Sequence, residues 1–270
     1  MIAYTGDLYR SLVIATRFLL NIKLVMRVSH GNVAHESACC SGVEFITLSS
    51  YNQLQPFVVM NYLAHLFLAQ RNPYSLVGNI MGDFIRDVDI TRLPQAVAQG
   101  VENHKAVDRF TDSHEVLAEL KAGFKQRRRF AGIIIDVVFD HFLIKHWHNY
   151  TPEVREDFIV YCYTSLLELN ALMPARMRQR MVWMAQQDLL NSYAGLDGVA
   201  AALNGISLRM RFENHLAGAI DDVVDQYEAL EKGFLRFFGE LCQHIVTLNL
   251  ETGPAYRSSD VSPALACKSR

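Results

Sequence analysis

His104, Asp108 and Asp112 lie four residues apart in the segment GVENHKAVDRFTDSH, and their side chains are of the types that bind metal ions. A helix turns by about 100° per residue, so a step of four residues moves only about 40° round its axis. The three side chains therefore share one face of a predicted helix. Imidazole nitrogens and carboxylate oxygens that converge in this way are typical ligands of a divalent cation.

Further imidazoles and carboxylates lie in the segments on either side of this one. A mixed set of this kind suits Mn²⁺, Fe²⁺ or a similar ion better than Ca²⁺. Such an ion polarises a phosphoryl oxygen and lowers the pKa of bound water, which is the chemistry of a phosphodiesterase. The predicted metal ligands are His65, Asp83, His104, Asp108, Asp112 and Asp136.

Charged side chains near these ligands have spacings that suit catalysis. Asp140 follows Asp136 by four residues, so both carboxylates face one way from their helix, while His141 points about 100° aside. His141 is a candidate ligand or a candidate acid for the leaving group. Lys105 and Arg109 are expected to hold phosphate oxygens. The predicted catalytic residues are Asp108, Asp140, His141, Lys105 and Arg109.

Each of these residues also has an ordinary structural interpretation. His65 stands in an apolar helix, where a satisfied core histidine is common, and Asp83 is as well explained by a structural role. Aspartates beside Arg or Lys often form surface ion pairs. Asp140 lies among apolar residues, and a buried carboxylate needs either a partner or a metal ion. The recurrence of such groups on several helices favours the metal site.

Arginine clusters form a second group of candidates. Clustered arginines commonly lie at a solvated helix end, but they also steer an acidic partner towards a protein surface. The predicted partner-binding residues are Arg127, Arg128, Arg129, Arg176, Arg178 and Arg180.

The elements that must position these side chains are helices. From Met60 onward the apolar residues follow a helical period, and Val43–Ser49 is the one plausible strand. Gly78 and Gly82 in the second helix permit close packing. The class is therefore all-α, in a compact multi-helix bundle. The predicted helices cover 60–70, 73–87, a long segment 94–123 that is straight or bent, then 126–148, 196–206 and 212–245, with others starting near Pro152 and Pro174.

Composition limits the domain organisation and the partners. We expect an N-terminal extension at 1–59, a helical phosphodiesterase domain at 60–248 and a flexible tail at 249–270. A formal net charge of −2 lacks the basic surplus of nucleic-acid binders. Five cysteines without a CxxC pair indicate a reducing cytoplasm. Charges interrupt the apolar stretch Leu12–Met26, which is also shorter than the roughly 20 residues of a membrane span. Stable membrane insertion is therefore not expected.

Four segments resemble the bacterial acyl carrier protein phosphodiesterases. They are MNYLAHLFLA at 60–69, SLVGNIMGDFIR at 75–86, GVENHKAVDRFTDSH at 100–114 and DVVFDHFLIKHW at 136–147. The resemblance implies an all-helical fold distantly related to the HD phosphohydrolases. It implies hydrolysis of the phosphodiester between 4'-phosphopantetheine and a serine of holo-acyl carrier protein, with Mn²⁺ favoured and Mg²⁺ or Fe²⁺ as alternatives. Because such carriers are acidic, the resemblance also gives the arginines a purpose.

Two other functions remain open from the sequence. One is a phosphohydrolase that acts on small nucleotides or phosphate esters. The other is a non-catalytic helical module that holds an acidic carrier protein. Within the resemblance, Asp140 precedes His141, which reverses the order of an ordinary His-Asp doublet. The assignment of individual ligands is therefore left open at this point.

Overall fold

The computed structural model describes residues 62–210 and 212–252. The predicted extension at 1–59, including the candidate strand Val43–Ser49, lies outside the described residues. So does the part of the predicted tail that follows residue 252. The structural statements below concern the described ranges.

The described chain is built from α-helices without any strand, so the all-α prediction is confirmed. Short 3₁₀ segments connect several of the helices, among them Gly82–Asp87 and Arg128–Phe130. The α-helices are α1 (Tyr62–Leu68), α2 (Pro73–Met81), α3 (Gln95–Ser113), α4 (Glu115–Gly123), α5 (Ala131–Lys145), α6 (Arg155–Glu168), α7 (Ala175–Gln186), α8 (Leu189–Ser192), α9 (Leu196–Arg209), α10 (Ile220–Asp225) and α11 (Tyr227–Leu248).

Helices α2 and α3 touch along their backbones. A Cβ atom on Gly78 would lie 2.2 Å from the carbonyl oxygen of Val97, and one on Gly100 would lie 2.7 Å from the carbonyl oxygen of Ser75. Glycine is required at both positions because no side chain fits between the helices. The close packing predicted at Gly78 is confirmed, and it sets the register of α3 against α2.

Helix α5 forms the centre of the core. Eleven of its fifteen residues are buried, as expected of a helix that is apolar on nearly every side. It packs against α1, α4, α9 and α11. Its polar residues Asp140 and His141 are buried as well, so each of them needs a partner inside the protein.

Several predicted helix boundaries differ from the structure, and three of the differences bear on the packing. The second helix ends at Met81 and continues as 3₁₀ turns. The long segment 94–123 breaks at His114, whose extended backbone and ring nitrogen cap α4 by accepting from the Val116 N–H. The predicted last helix 212–245 is divided into α10, which starts at Ile220, and the long helix α11, which starts at Tyr227. Asn214 bonds the backbone around it, which competes with helix formation there.

The chain beyond α11 is tied back to α1 and α2 over its first residues. Glu251 is buried, and its carboxylate accepts hydrogen bonds from the Gln70 N–H at 2.9 Å, the Ser75 hydroxyl at 2.5 Å and the Asn79 amide at 3.0 Å. The part of the predicted tail that the structure describes, residues 249–252, therefore includes a firmly bonded residue.

In the described ranges, every helix is either too short or too polar to cross a lipid bilayer.

Candidate metal centre

Two histidines and two aspartates meet where α1, α3 and the turn after α2 come together. The Nε2 atom of His104 lies 3.2 Å from Asp108 Oδ2 and 3.4 Å from Asp83 Oδ1. The Nε2 atom of His65 lies 3.4 Å from Asp108 Oδ1. The spacing of four residues between His104 and Asp108 gives this result on α3, as predicted. His65 and Asp83 are brought in by other elements.

The geometry of three of these residues suits a shared cation. Ligand atoms of His65, His104 and Asp108 all lie within 4.8 Å of one another. The two imidazole rings stack with their centroids 4.1 Å apart, so their nitrogen atoms lie side by side. Both histidines are buried, whereas the side chain of Asp108 is 43% exposed and opens the group to solvent. Water and a substrate can therefore reach the cluster from the Asp108 side.

The hydrogen bond behind His104 fixes which nitrogen faces the aspartates. Its Nδ1 atom lies 2.7 Å from the carbonyl oxygen of Asn79, which can only accept, so Nδ1 carries the proton. In a neutral ring the Nε2 lone pair would then face the carboxylates of Asp83 and Asp108. An arrangement of three acceptors needs a positive charge between them, supplied by a proton or by a metal ion.

The pKa shifts of the four side chains also reflect the carboxylates that surround His104. Burial alone would lower the pKa of His104, but Asp108 and Asp83 outweigh it and raise the pKa to about 10. Burial lowers the pKa of His65, and the charge on His104 lowers it further. Burial raises the pKa of Asp83, against the effect of His104. Burial also opposes ionisation of Asp108, but the two imidazoles hold its pKa below the usual value.

Some of the nitrogen and oxygen atoms that could bind a metal ion are buried without a hydrogen-bond partner. Among the described residues, neither ring nitrogen of His65 has a hydrogen-bond partner, and the same holds for Asp83 Oδ2. Leaving a buried polar atom unpaired costs about 1–3 kcal/mol. Imidazole nitrogen and carboxylate oxygen together are a donor set for transition metals. The residues present therefore fit a divalent cation.

Two residues that were not predicted as site residues hold His104 in place. A Cβ atom on Gly82 would lie 2.1 Å from Cδ2 of the His104 ring, so the ring packs against bare backbone. Asn79 accepts from His104 through its carbonyl and bonds Asn103 and Glu251 through its side chain. Gly82 was predicted to permit close packing, and this is confirmed. The contact of Asn79 with His104 could not be predicted from the spacing of residues in the sequence, because it is made by the backbone carbonyl of a different helix.

Asp136 lies beside the cluster rather than in the ligand group. It is half-buried on α5, and burial raises its pKa to about 7, with Lys121 opposing and Asp108 adding to the shift. Asp112, one turn beyond Asp108, is exposed. The predicted stripe on α3 therefore runs from the buried His104 to the surface. Its last member, Asp112, is not in the described group of ligand atoms formed by His65, His104 and Asp108, so its part as a ligand stays a prediction.

The structure gives Asp140 a role at the start of α1. Its Oδ2 accepts from the Leu63 N–H at 3.1 Å and its Oδ1 from the Ala64 N–H at 3.0 Å. These are orphan amides of the first helical turn, which favour an acidic partner. The bonds account for the burial of Asp140 without a metal ion. They position α1, and hence His65, while the predicted catalytic role of Asp140 stays a prediction.

His141 faces a different group of residues. Its Nδ1 lies 2.8 Å from the carbonyl oxygen of Tyr193, and its Nε2 lies 2.9 Å from the hydroxyl of Tyr227. The ionisable groups that act most on its pKa are Lys145, Glu231 and His146, and none of the metal-centre aspartates is among them. The structure thus separates His141 from the centre, and its predicted part in catalysis gains no support from this placement.

The predicted phosphate-binding cations lie on the outer side of α3. Lys105 is half-buried and pairs with Glu102 at 2.8 Å, and Arg109 is exposed. Neither contacts the cluster in the described structure. Their role towards a phosphate stays a prediction.

The predicted partner-binding arginines differ in how exposed their side chains are. Arg127 pairs with Asp222 at 2.9 Å and is half-buried. Arg129 lies over the rings of Phe130 and Phe212. Arg180 is half-buried against Trp183 and Tyr62. The exposed members of the set are Arg128, Arg129, Arg176 and Arg178.

Comparison with known proteins identifies the family. Residues 60–241 match the family described as acyl carrier protein phosphodiesterase. The chain belongs to this family. The resemblance of its four segments is thereby confirmed. No solved structure is significantly similar to the chain, so a distant relation to the HD phosphohydrolases stays a prediction.

Several curated relatives carry the family name. The acyl carrier protein phosphodiesterase of Enterobacter sp. (strain 638) is 32% identical over 181 residues, which are 66% of this chain and 94% of the relative. The protein of that name from Serratia proteamaculans is 34% identical over 186 residues, covering 68% of this chain and 96% of the relative. The one from Yersinia enterocolitica is 33% identical over 181 residues, with 66% and 94% covered.

Proposed function

We propose that this protein is a metal-dependent phosphodiesterase that removes 4'-phosphopantetheine from the serine of holo-acyl carrier protein. The products are the apo carrier and free phosphopantetheine. The observation that supports this most is the buried cluster around His104, which fits a divalent cation, in a chain of the acyl carrier protein phosphodiesterase family. We place the activity in the cytoplasm.

The cation would be held by His65, His104 and Asp108, with Asp83 completing the set. Their mixed nitrogen and oxygen atoms favour Mn²⁺, with Mg²⁺ or Fe²⁺ as alternatives. When bound, such an ion supplies Lewis-acid polarisation of a phosphoryl oxygen and activation of water.

The chain's own residues orient the substrate and move protons. Asp136 stands beside the cluster with a pKa of about 7, so its carboxyl can accept or return a proton at neutral pH. Lys105 and Arg109 are one and five residues beyond His104 on α3, and we assign them to the phosphate oxygens. The buried side of the cluster excludes bulk water from the histidines, which strengthens every charge interaction there.

The exposed arginines are proposed to receive the acidic carrier. Arg176 and Arg178 lie on α7, and Arg128 and Arg129 lie just before α5. Charges at the rim of an interface mainly raise the association rate, and salt screens them. The KM for holo carrier should therefore rise with ionic strength more steeply than kcat falls.

An intact-mass measurement on the carrier tests the proposed function. Holo carrier incubated with the Mn²⁺-loaded protein should lose the mass of one phosphopantetheine group, and a chelator should prevent the loss. The matched control is the Asp108→Asn variant, which keeps the shape of the side chain and should leave the carrier unchanged.

Two outcomes would contradict the proposal. Unchanged carrier together with cleavage of small nucleotides or phosphate esters would favour a general phosphohydrolase. Carrier that is retained on the protein without metal binding or turnover would favour a binding module.

A further inference from the structure

Helices α7, α8 and α9 line a cavity of about 240 Å³ that is partly open to solvent and that the residues of the proposed centre do not line. Small residues of α9 form one wall, among them Gly198, Ala202 and Gly205. Trp183 of α7 lines it as well. A core interface would be closed by larger apolar side chains, because interiors pack to high density. The small residues leave a space beside the Trp183 ring.

The cavity has the charge of an anion site. Arg180 and Arg209 both line it, and no carboxylate is found among its described lining residues. The Arg180 guanidinium lies 4.4 Å from the centre of the Trp183 ring, a contact that holds the planar group in place. Arginine in such a position is suited to bind phosphate through paired N–H groups.

Unpartnered polar atoms at the cavity point to a ligand. Tyr193 lines it, is 1% exposed, and its hydroxyl has no hydrogen-bond partner in the described structure. The Nε atom of Arg180 is also buried without a partner there. Buried polar groups are nearly always bonded, so these two donors call for an acceptor that enters the cavity.

Tyr62 links the cavity to the metal centre. It precedes His65 by three residues on α1, which puts both side chains on neighbouring positions of one helix face. The centre of its ring lies 5.8 Å from the Arg180 guanidinium. The charges of both Arg180 and Asp83 act on its hydroxyl. The Arg180 end of the cavity therefore lies next to the cluster, with Tyr62 between them.

We propose that this cavity binds the phosphopantetheine group of the substrate, with the arm along the small residues of α9 and the phosphate end at Arg180. The inference rests on the proposed function. The arm is a slender, uncharged chain with amide groups, which suits an apolar wall with a few polar atoms. Tyr193 and Arg180 supply hydrogen bonds that the arm and its phosphate can accept.

Direct binding to the full chain tests the inference without relying on turnover. Calorimetric titration with 4'-phosphopantetheine, and separately with pantetheine, measures the affinity for the arm with and without its phosphate. The Ala202→Leu variant fills the cavity and should weaken both ligands by about tenfold or more. The Arg180→Met variant should weaken the phosphorylated ligand by about tenfold and leave pantetheine nearly unaffected. Both variants should raise the KM for holo carrier.

Matched controls separate this effect from a change in folding. Ala200→Leu makes the same substitution on α9 outside the cavity, and Arg236→Met removes an exposed arginine of α11. Neither should change either affinity. Manganese content and thermal melting, measured in parallel, report whether each variant keeps the centre and the fold. If the Ala202→Leu variant does not fold, the affinities of the Arg180→Met variant alone test the cavity assignment.

The failures of the two proposals are distinguishable. Wild-type protein that releases phosphopantetheine from the carrier, with both cavity variants binding and turning over as wild type, overturns the cavity assignment alone. Wild-type protein that does not bind 4'-phosphopantetheine also overturns it. Wild-type protein that binds the ligand at the cavity but leaves holo carrier intact overturns the proposed reaction.

Discussion

Two polar clusters in the described ranges are built around a buried histidine, and they differ in what the second ring nitrogen faces. At His141, one ring nitrogen meets the Tyr193 carbonyl and the other meets the Tyr227 hydroxyl, which can donate or accept. Nearby, Lys145 and His146 both pair with Glu231, at 2.8 Å and 2.6 Å. Each of these side chains therefore has a partner within the protein.

The cluster at His104 has the opposite character. Its ring donates through Nδ1 to a carbonyl, so Nε2 meets the carboxylates of Asp83 and Asp108. The neighbouring His65 has no hydrogen-bond partner among the described residues. Whether a buried histidine is suited to bind a metal ion or to hold the structure together therefore depends on what its second ring nitrogen faces. Acceptors on every side call for a cation, whereas a hydroxyl completes a structural network.

Replacing His104 should produce the largest effect. The His104→Gln variant loses a nitrogen ligand, so its affinity for Mn²⁺ should fall by more than the roughly 10–100-fold typical of a lost second-shell partner. Phosphodiesterase activity should be lost while the circular dichroism spectrum remains helical. Metal titration and carrier mass measure the two effects. Retained manganese in this variant would remove the distinction between the clusters.

Crowding the ring of His104 should produce the next largest effect. In the Gly82→Ala variant the new Cβ atom would overlap the ring, which must move away from Asp83 and Asp108. We expect metal affinity to fall about 10–100-fold. Gly239→Ala is the matched control, because a Cβ atom there has nothing within 4 Å, and it should stabilise α11 by about 0.5–1 kcal/mol. Equal metal affinity in the two variants would contradict the packing argument.

Removing the carboxylate of Asp140 should act on stability before it acts on metal binding. The Asp140→Ala variant leaves the N–H groups of Leu63 and Ala64 buried without an acceptor, which should lower the free energy of unfolding by about 2–3 kcal/mol. Urea denaturation measures this change. If the Asp140→Ala variant is as stable as wild type but has no activity, the catalytic role predicted from the sequence would be supported instead.

Replacing His141 should produce the smallest effect and one of a different kind. The His141→Phe variant loses the bonds to Tyr193 and Tyr227, so unfolding should become easier by about 1–2 kcal/mol. Manganese affinity should remain that of wild type, because His141 does not touch the centre. Urea denaturation and metal titration on one preparation check both parts. A large loss of metal affinity would place His141 among the ligands.

The sequence predicts the all-α class, the pairing of His104 with Asp108, and the close packing at Gly78. These follow from periodicity within one helix, which is a local property. It does not predict that His65 joins the centre while His141 does not. Both histidines lie in apolar helices. Whether each one meets an aspartate or a tyrosine depends on which neighbouring helix packs against it. Such contacts join residues far apart in the chain and leave no trace in spacing.

Asp140 and Glu251 show the same limit. The spacing of Asp140 from Asp136 indicated a shared face, but the amides that Asp140 caps lie 76 and 77 residues away. Glu251 stands in a segment predicted as a flexible tail from its composition, yet it is bonded to Asn79 behind His104. A single polar residue that docks into the core is invisible to composition.

An anomalous difference map at the manganese absorption edge, from crystals soaked in Mn²⁺, tests the account most directly. We predict a peak between the Nε2 atoms of His65 and His104 and the carboxylate of Asp108, and no peak at His141. A map without a peak at His104, or with its strongest peak at the His141 cluster, would contradict the account.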